Sequence, residues 1–452
     1  MPKESSQELV QKTVAQIKSR KHIRTLSSGA MFVYNEVSGI YVPQAEEVLH
    51  QEIEAMLVEK ATRYTVGEII TKIQRTTVAS IDDFDNDEDI VHVGNGLLDL
   101  TTMELLDHDR TYLSLRKVAA NYDPNADCPV FKKFVETTLD ENDRVVVQQM
   151  LGFCLLNIYR YRRAFVYVGP THTGKTSLMN AIIAFLGGEN TVSISLQSLC
   201  DTTSYDTHEL MGAMANVFDE LESDDVKRYG RLKQLTGDSR VRAREIYGKP
   251  FDFWNKAKLV FACNELPPVP KADDAFYGRW VIVPMDNVFV EGSTADDRML
   301  ERMTTPVELS GMLNFALDGL KMLNLFHGFC YPTDPQVQRI RWLAYSGDPI
   351  ARFVSECVKF EQGEITPKQT VYEFYMRFCE LCGAAAVDEI SFFMRITNYL
   401  GNRVSDCRPS EVNRQRAFRG MSVELPKRTR PGGRFVYRDV SLNPSTFTDD
   451  GE

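Results

Sequence analysis

The sequence lacks the features that would assign it to a membrane or a secreted protein. It has no apolar run near the ~20 residues that a membrane-spanning helix needs, and its first residues do not resemble a signal peptide. Its nine cysteines are scattered without a repeated pairing pattern. We therefore expect reduced thiols, a cytoplasmic location in a prokaryotic or virus-infected cell, and no membrane partner.

The sequence also lacks an excess of positive charge. Lysine and arginine number 52 against 63 aspartates and glutamates, which gives a formal net charge of −11. A surface of that charge repels nucleic acid over most of its area. Any contact with nucleic acid is therefore expected from local basic patches.

The 452 residues exceed what one hydrophobic core usually serves, so several domains are expected. Strand and helix patterns alternate between residues 163 and 284, which is typical of a layered α/β core. Beyond residue 348, two helical segments precede a basic region around the turn Arg430-Pro431-Gly432-Gly433. There the pattern predicts two strands between Ala417 and Val440, and hence a winged helix-turn-helix. The predicted domains are an N-terminal α+β domain (1–128), a helical collar (129–162), the α/β core (163–346), a winged-helix-like domain (347–442) and a disordered tail (443–452).

Residues 169–176 read Gly-Pro-Thr-His-Thr-Gly-Lys-Thr and follow the apolar segment Ala164–Val168. This spacing, between a strand and a helix, is that of a P-loop, whose backbone N–H groups and helix N-terminus cradle phosphates. Lys175 is expected to reach the β- and γ-phosphates, and the Thr176 hydroxyl to hold Mg²⁺. ATP and Mg²⁺ are therefore the expected cofactors, although a bare motif also fits a relic that does not hydrolyse. The predicted nucleotide-binding residues are Gly169, Pro170, Thr171, His172, Thr173, Gly174, Lys175, Thr176 and Ser177.

Two carboxylates follow an apolar segment about 45 residues later, in Asn216-Val217-Phe218-Asp219-Glu220. At the end of a strand neighbouring the P-loop strand, Asp219 could hold Mg²⁺ and Glu220 could orient the attacking water. Acidic pairs after strands also serve as helix caps. The alternating α/β context favours the catalytic interpretation.

Two further polar residues stand next to predicted strands. Asn264 follows Lys258–Cys263, where it would sense the γ-phosphate or else begin the turn before Pro267. Arg279 precedes the apolar run 280–284, where it is either a surface charge or an arginine finger offered to a neighbouring subunit.

In this order and spacing, Lys175, Asp219/Glu220, Asn264 and Arg279 resemble the motifs of superfamily III helicases. In particular they resemble the helicase part of phage and plasmid primase-helicases related to the poxvirus replication ATPase. Segment 232–253 is similar to the family's signature between its acidic and sensor motifs. The similarity is specific between residues 169 and 284 and loose towards both ends of the chain. No primase active site is evident, unlike in longer members of the family.

The resemblance implies a modified AAA+ core that forms a ring, expected to be a hexamer, with ATP at the subunit interfaces. It also implies movement along single-stranded DNA in the 3′ to 5′ direction. Such helicases project a β-hairpin into the central channel, which here would run from about Val241 to Phe253 with Tyr247 and Lys249 near its tip. A lysine meets phosphates and an aromatic ring stacks on sugar or base, but a plain surface hairpin is the alternative.

In the C-terminal domain, Arg428 and Arg430 are the candidate contacts with duplex DNA. The alternative is a solvated basic tail or a protein-interaction module. The sequence thus predicts an ATP-dependent DNA helicase of a viral or plasmid-type replication system. An origin initiator or DNA-loading ATPase without processive unwinding, and a nucleotide-controlled DNA-binding regulator, are the alternatives. The expected partners are single-stranded and forked DNA, further copies of the chain, and a separate primase or polymerase.

Overall fold

The computed structural model describes residues 5–43, 45–221, 229–237, 239–244, 250–269, 272–290, 296, 298–409, 412 and 415–425. Within these ranges, no helix has both the length and the apolar composition that crossing a membrane requires.

The N-terminal part builds its own small core from three helices and a three-stranded antiparallel sheet. Its elements are α1 (Ser6–Arg20), β1 (Ile23–Thr25), β2 (Met31–Asn35), β3 (Ile40–Val42), α2 (Ala45–Leu57) and α3 (Arg63–Thr76). The start of α1 is fixed by a capping box between Ser5 and Glu8. Ile17, Leu49 and Ile69 are fully buried where the three helices meet.

A second antiparallel sheet follows and joins the core of the remaining protein. Its strands are β4 (Ile90–Val93), β5 (Gly96–Asp99) and β6 (Leu105–Leu106). Val93 and Leu98 of this sheet are fully buried in the same apolar cluster as Phe165 of the α/β core. The second sheet therefore packs as part of that core rather than with α1–α3.

Two cations, buried Arg116 and half-buried Lys256, hold the chain between Phe84 and Arg116 against the α/β core. The Arg116 guanidinium donates to the carbonyl oxygen of Ala213 (2.9 Å) and to Oδ1 of Asn157 (2.6 Å). Lys256 Nζ donates to the carbonyl oxygen of Phe84 at 2.9 Å. Burial lowers the pKa of Lys256 to about 8. These contacts satisfy cations that would otherwise be costly to bury.

Two helices precede the α/β core and pack against a long helix that follows it. They are α4 (Pro129–Thr138) and α5 (Glu141–Leu155), and the long helix is α11 (Pro306–Leu325). The backbones of α5 and the long helix touch at Gly319, where a Cβ would lie 2.0 Å from the carbonyl oxygen of Gln148. Only glycine permits this approach.

The central sheet of the described residues has five strands, all parallel to their neighbours. The elements of this region are β7 (Ala164–Val168), α6 (Lys175–Leu186), β8 (Thr191–Val192), α7 (Leu196–Cys200), β9 (Ala215–Phe218), α8 (Gly230–Leu235), β10 (Arg240–Ala243), β11 (Phe251–Trp254), β12 (Lys258–Cys263), α9 (Asp274–Tyr277), β13 (Trp280–Pro284), α10 (Met299–Met303) and α11 (Pro306–Leu325). The strands run in the order β13-β7-β12-β9-β8, and their side chains are buried in apolar clusters on both faces. This is the burial expected of a parallel sheet covered by helices.

The strand order corrects one expectation. The acidic pair follows β9, which does not neighbour the P-loop strand β7, because β12 is inserted between them. Asn264 therefore follows β12, a strand that neighbours β7, while the acidic pair lies one strand further away. The order of strands in a sheet depends on tertiary packing, which the local pattern does not encode.

The C-terminal part has a separate core. Helix α12 (Pro335–Tyr345) leads into it, with Trp342 buried in the cluster of the central sheet and Ile340 in the C-terminal one. The further elements are α13 (Pro349–Cys357), β14 (Val358–Pro367), α14 (Lys368–Cys382), α15 (Glu389–Leu400), β15 (Ser405–Cys407) and β16 (Ala417–Val423). The three strands are antiparallel in the order β14-β16-β15. Phe353, Tyr375 and Phe392 are fully buried between the helices.

The C-terminal hairpin differs from the predicted one. The sequence pattern predicted two strands between Ala417 and Val440 around Arg430-Pro431-Gly432-Gly433. In the structure, β16 pairs instead with the upstream strand β15, so the hairpin connection is 408–416. Residues 426–452, with the predicted turn, Arg428, Arg430 and the predicted tail, lie outside the described residues.

Candidate nucleotide site

The loop between β7 and α6 is held in place by close backbone packing. A Cβ at Gly169 would lie 2.1 Å from the carbonyl oxygen of Met285, so a larger residue does not fit there. Gly174 has a φ of +87° and lies against Phe134 and Thr138 of α4. Glycine adopts this left-handed conformation without strain. The two glycines thus shape the loop that turns into the N-terminus of α6.

Lys175 is the first residue of α6, and its side chain folds back over the loop. Its Nζ donates to the carbonyl oxygens of Gly169 (2.8 Å) and Pro170 (2.6 Å), and to Oγ1 of Thr173 at 3.3 Å. Burial lowers the pKa of the Lys175 ammonium, while Cys263 and Asp286 act in the opposite direction. The ammonium group therefore lies inside the loop, where a phosphate would be cradled.

The other predicted loop residues differ in exposure. Thr173 is buried and its hydroxyl donates to the carbonyl oxygen of Pro170 at 3.1 Å. Thr171, His172 and Thr176 are exposed, and Ser177 is half-buried. The Thr176 hydroxyl is thus accessible at the mouth of the loop.

The acidic pair lies at the same edge of the sheet. Phe218 of β9 is in register with Phe261 of β12, and the amide of Leu221 donates to the carbonyl oxygen of Ala262 at 3.0 Å. These two contacts bracket Asp219 and Glu220, which are both exposed. Their carboxylates are therefore available to solvent and ligands at the carboxyl edge.

Asn264 lies between the acidic pair and the loop. Cys263, directly before it, is in register with Val168, the last residue of β7. Asn264 itself is exposed. The structure thus brings Lys175, Asn264 and the pair Asp219/Glu220 to the carboxyl ends of three adjacent strands, where ligands bind in open α/β sheets.

The donor set fits a magnesium ion that takes most of its ligands from phosphate and water. Thr176 offers a hydroxyl and Asp219 a carboxylate, and Mg²⁺ is usually bound by one or two protein groups together with substrate phosphates. Among the described residues, no group of three or more His, Cys, Asp or Glu side chains could hold a metal ion by itself. A nucleotide would therefore supply the remaining ligands.

Arg279 does not join the other predicted site residues. It precedes β13, and its carbonyl oxygen accepts from the amide of Ala164 at the start of β7. It therefore lies at the amino edge of the sheet, about 16 Å from the loop at ~3.3 Å per residue along a five-residue strand. Its guanidinium donates to Oγ1 of Thr236 (2.9 Å) and to the carbonyl oxygen of Ala275 (2.5 Å).

The segment after β13 also flanks the loop, and the sequence reasoning missed it. The amide of Phe289 donates to the carbonyl oxygen of His172 at 2.8 Å, and Nδ2 of Asn287 donates to the carbonyl oxygen of Thr137 at 2.9 Å. Asp286, in the same segment, acts to raise the pKa of Lys175. The rule that singled out Asp219, a carboxylate soon after a buried strand, would have found Asp286 as well.

The predicted channel hairpin is described only in its stem. Tyr247 and Lys249 lie outside the described residues, as do residues 245–249 as a whole. The stem is the antiparallel pair β10 and β11, in which Val241 is in register with Phe253. A hairpin therefore exists at the predicted place, directly before β12.

Three curated viral proteins are similar to parts of the chain. A protein of Acanthamoeba polyphaga mimivirus named "Putative helicase" is 28% identical over 165 residues, which are 35% of this chain and 17% of that protein. One of Frog virus 3, also named "Putative helicase", is 34% identical over 108 residues, or 20% of this chain and 11% of that protein. A "Putative primase" of African swine fever virus is 26% identical over 197 residues, which are 41% of this chain and 20% of that protein. The matched regions thus span a fifth or less of each relative.

A solved structure titled "The apo structure of NrS-1 C terminal region" covers 91% of this chain and 98% of its own, with a TM-score of 0.46 and 12% identity.

Three family models match successive parts of the chain. Residues 3–140 match the model described as "D5 N terminal like", and residues 346–414 match "Poxvirus D5 protein-like". Residues 167–279, which run from β7 to Arg279, match a family of unknown function. With D5-type regions matched on both sides of the α/β core and proteins named putative helicases and primases of large DNA viruses among its relatives, the chain is similar to the primase-helicase family related to the poxvirus D5 protein.

Proposed function

We propose that this protein is an ATP-dependent DNA helicase that forms a ring and moves along single-stranded DNA. The observation that carries the proposal is the convergence of Lys175, Asn264 and the pair Asp219/Glu220 at one edge of three adjacent parallel strands. The strand order, with the Asn264 strand inserted between the loop strand and the acidic strand, supports an AAA+-like core. The similarity to D5-type family models and to viral proteins named putative helicases and primases supports a role in DNA replication.

Each residue at the carboxyl edge has a distinct part in ATP hydrolysis. Phosphoryl transfer needs positioning and charge compensation more than covalent chemistry. Lys175 would exchange its contacts with the loop carbonyl groups for the β- and γ-phosphates, while Glu220 would orient the attacking water. Thr176 and Asp219 would hold Mg²⁺, which neutralises phosphate charge when it is bound. Asn264 would hydrogen-bond the γ-phosphate.

Arg279 fits the mechanism only as a residue of a neighbouring subunit. At the amino edge of its own sheet it is too far from its own loop to touch a γ-phosphate. A ring with ATP between subunits would bring this edge of one copy towards the loop of the next. The half-buried guanidinium is held by Thr236 and Ala275 in the single chain. It would exchange these contacts for the γ-phosphate of the neighbouring subunit.

The C-terminal part is proposed to be a winged helix-turn-helix domain. The order α13-β14-α14-α15-β15-β16 and the strand order β14-β16-β15 support that assignment. In such a domain α15 would be the recognition helix. Its exposed face, however, carries Ile390 (76% exposed) and Met394 (65% exposed), and its Arg395 pairs with Asp348 at 2.6 Å.

This exposed face does not suit a DNA groove, which is read by polar and cationic side chains. The connection between β15 and β16 does carry exposed cations, at Arg408 and Arg416. We therefore place the duplex contact of this domain on the wing between β15 and β16, at Arg408 and Arg416, and assign α15 to contacts with protein. The basic C-terminal sequence adds Arg428 and Arg430 as further DNA contacts. The resemblance adds Tyr247 and Lys249, with movement in the 3′ to 5′ direction.

A forked-duplex unwinding assay tests the proposed function. Wild-type protein should separate the strands only with ATP and Mg²⁺, and Lys175→Ala should not separate them at all. ATP hydrolysis and DNA binding without strand separation would favour an origin initiator or loading factor. Nucleotide-dependent DNA binding without hydrolysis would favour a replication regulator.

A further inference from the structure

The stem of the hairpin presents a regular row of cations to solvent. Along β10 and the residue after it, Arg240, Arg242 and Arg244 are exposed, while Val241 and Ala243 between them are buried. Across the pair, Arg240 is in register with Trp254 and Arg242 with Asp252, both of which are exposed. Because side chains alternate along a strand, the three arginines lie on one face of the stem.

The opposite face of the stem is fixed to the protein core. Val241 and Phe253 are buried in the apolar cluster that covers one side of the central sheet. Arg231, only 8% exposed, donates to the carbonyl oxygens of Arg242 and Asp201, both at 2.8 Å. The β10 backbone is therefore held rigidly from behind.

The outer two arginines are positioned by aromatic rings. The Arg240 guanidinium lies 5.9 Å from the centroid of the Trp254 ring and pairs with Asp82 at 2.9 Å. The Arg244 guanidinium lies 4.6 Å from the centroid of the Tyr205 ring and donates to its hydroxyl oxygen at 2.6 Å. Guanidinium groups next to aromatic rings are typical of surfaces that bind single-stranded nucleic acid.

Arg242, between them, has its charge available. Within the part of the chain that the structure describes, its guanidinium forms no ion pair and no side-chain hydrogen bond, even with Asp252 across the strand pair. The chain as a whole is acidic and repels phosphate. An exposed arginine on a rigid strand is therefore a local site of positive charge on its surface.

We propose that this surface, the arginine face (Arg240, Arg242, Arg244 and Trp254), binds the phosphate backbone of one nucleic-acid strand. Arg242 and Arg244 contact phosphates and the Trp254 ring stacks on a base. Alternate residues of a strand lie about 6.7 Å apart, a spacing suited to successive phosphates of an extended single strand. The inference rests on the proposed function and deepens it, since it places the strand along the stem of the hairpin as well as at its tip.

The chemistry of the face favours a nucleic acid over an acidic protein partner. Arginines at every second position of one strand match an anion that repeats at a regular interval, and Trp254, which is 42% exposed, offers a flat ring beside them. Every base has a face that can stack on such a ring, so the surface needs no particular sequence.

The test is binding of the full-length protein to a labelled oligothymidylate, measured by fluorescence anisotropy over a salt series. Arg242→Ala should weaken binding and reduce the slope of log K against log salt by about 0.7, the value for one phosphate contact on a single strand. Arg242→Lys, which keeps the charge, should retain the slope. Trp254→Ala should weaken binding by roughly tenfold and leave the slope unchanged, because stacking releases no counter-ions.

Arg75→Ala is the matched control, since Arg75 is an exposed arginine on α3. It should bind as the wild type does, and the melting temperature of every variant reports whether it is folded. The inference is overturned if folded Arg242→Ala keeps wild-type affinity and slope, or if the wild type does not bind the oligonucleotide. It is also overturned if Arg242→Ala loses self-association by light scattering with unchanged DNA affinity, which would make the face a subunit contact.

ATP hydrolysis by the wild type separates the two proposals. A wild type that hydrolyses ATP, with arginine variants that bind DNA normally, refutes the arginine face alone. A wild type that binds DNA through this face but hydrolyses no ATP refutes the proposed function and supports the inference.

Discussion

The amide of Gly169 donates to the carbonyl oxygen of Cys263 across 3.3 Å, which joins the first residue of the P-loop to the last residue of β12. Asn264 follows Cys263 directly, so backbone contacts fix its position relative to the loop. The amide of Leu221 binds the next carbonyl upstream, that of Ala262, and ties the acidic pair to the same strand. Strand β12 is thus the element that holds the three parts of the candidate site together.

The first prediction separates charge compensation from activation of water. Lys175→Ala should nearly abolish ATP turnover, because the ammonium in the loop stabilises charge on the transferred phosphoryl group. Glu220→Gln should retain nucleotide binding and lose hydrolysis, because the amide cannot activate water. Steady-state ATPase rates and binding of a fluorescent ATP analogue measure both. Wild-type turnover in Glu220→Gln would assign the role to Asp219 instead.

Local motifs were predictable because the chemistry needs contiguous residues. The loop 169–176 turns into α6 at Lys175, as its spacing indicated. One of the two helical segments predicted beyond residue 348 is α15 (Glu389–Leu400), because its apolar residues recur at helical spacing. In both cases the information lies within a dozen residues of sequence.

Relationships between distant segments were not predictable in the same way. Strand β12 is inserted between β7 and β9, which only the packed sheet reveals. One of the two partners of β16 is β15, whose three residues Ser-Asp-Cys have no apolar pattern to mark a strand. The position of Arg279 at the amino edge of the sheet could have been deduced from the sequence. In a parallel sheet, a residue that precedes its strand lies at the opposite edge from residues that follow their strands.

A second prediction concerns the contact between α5 and α11. Gly319→Ala should destabilise the fold by roughly 1–3 kcal/mol, because the new methyl group would press on the Gln148 carbonyl and force the helices apart. Gly67→Ala is the matched control, because Gly67 lies exposed on α3 with no heavy atom near its Cβ position. It should stabilise the protein by up to about 1 kcal/mol through helix propensity. Thermal unfolding of both variants would refute the packing argument if they shifted alike.

A third prediction concerns the dependence of stability on pH at Asp143 of α5. Burial raises the pKa of this carboxyl to about 7; Asp140 and Asp286 add to the shift and Arg341 opposes it. In the unfolded chain the pKa is ~3.9, so the folded state holds its proton more tightly. Stability should therefore fall as pH rises from about 4 to about 7 and change no further above that range through this group.

Asp143→Asn cannot lose a proton and should remove this part of the pH dependence. The midpoints of urea unfolding at about pH 5 and about pH 8 measure it. The wild type should lose more stability than Asp143→Asn between the two values. Equal losses would mean that the carboxyl is ionised throughout.

A fourth prediction places Arg279 at a neighbour's ATP. Mixing Arg279→Ala with Lys175→Ala subunits should restore some hydrolysis, because a mixed interface can combine an intact loop with an intact finger, worth up to ~10³-fold in rate. Thr236→Val is the control, since it removes the internal partner of the guanidinium and keeps the cation. If verified mixed assemblies never exceed the separate mutants, the site is not shared between subunits.

The last prediction assigns the two exposed surfaces of the C-terminal domain to different partners. Arg408 and Arg416 are exposed on the connection between β15 and β16, so alanine at each position should weaken binding to duplex DNA. The slope of log K against log salt should fall by about 0.9 for each phosphate that the protein no longer neutralises.

Ile390→Glu and Met394→Glu place acidic side chains on the exposed face of α15. If that face entered a DNA groove, repulsion from phosphates would abolish duplex binding. We expect instead that both glutamate variants bind duplex DNA nearly as the wild type does and fail to bind a protein partner, because an exposed apolar face flanked by polar residues is typical of a protein-binding surface. Abolished duplex binding in the glutamate variants, with unchanged binding in the arginine variants, would move the DNA contact from the wing to α15.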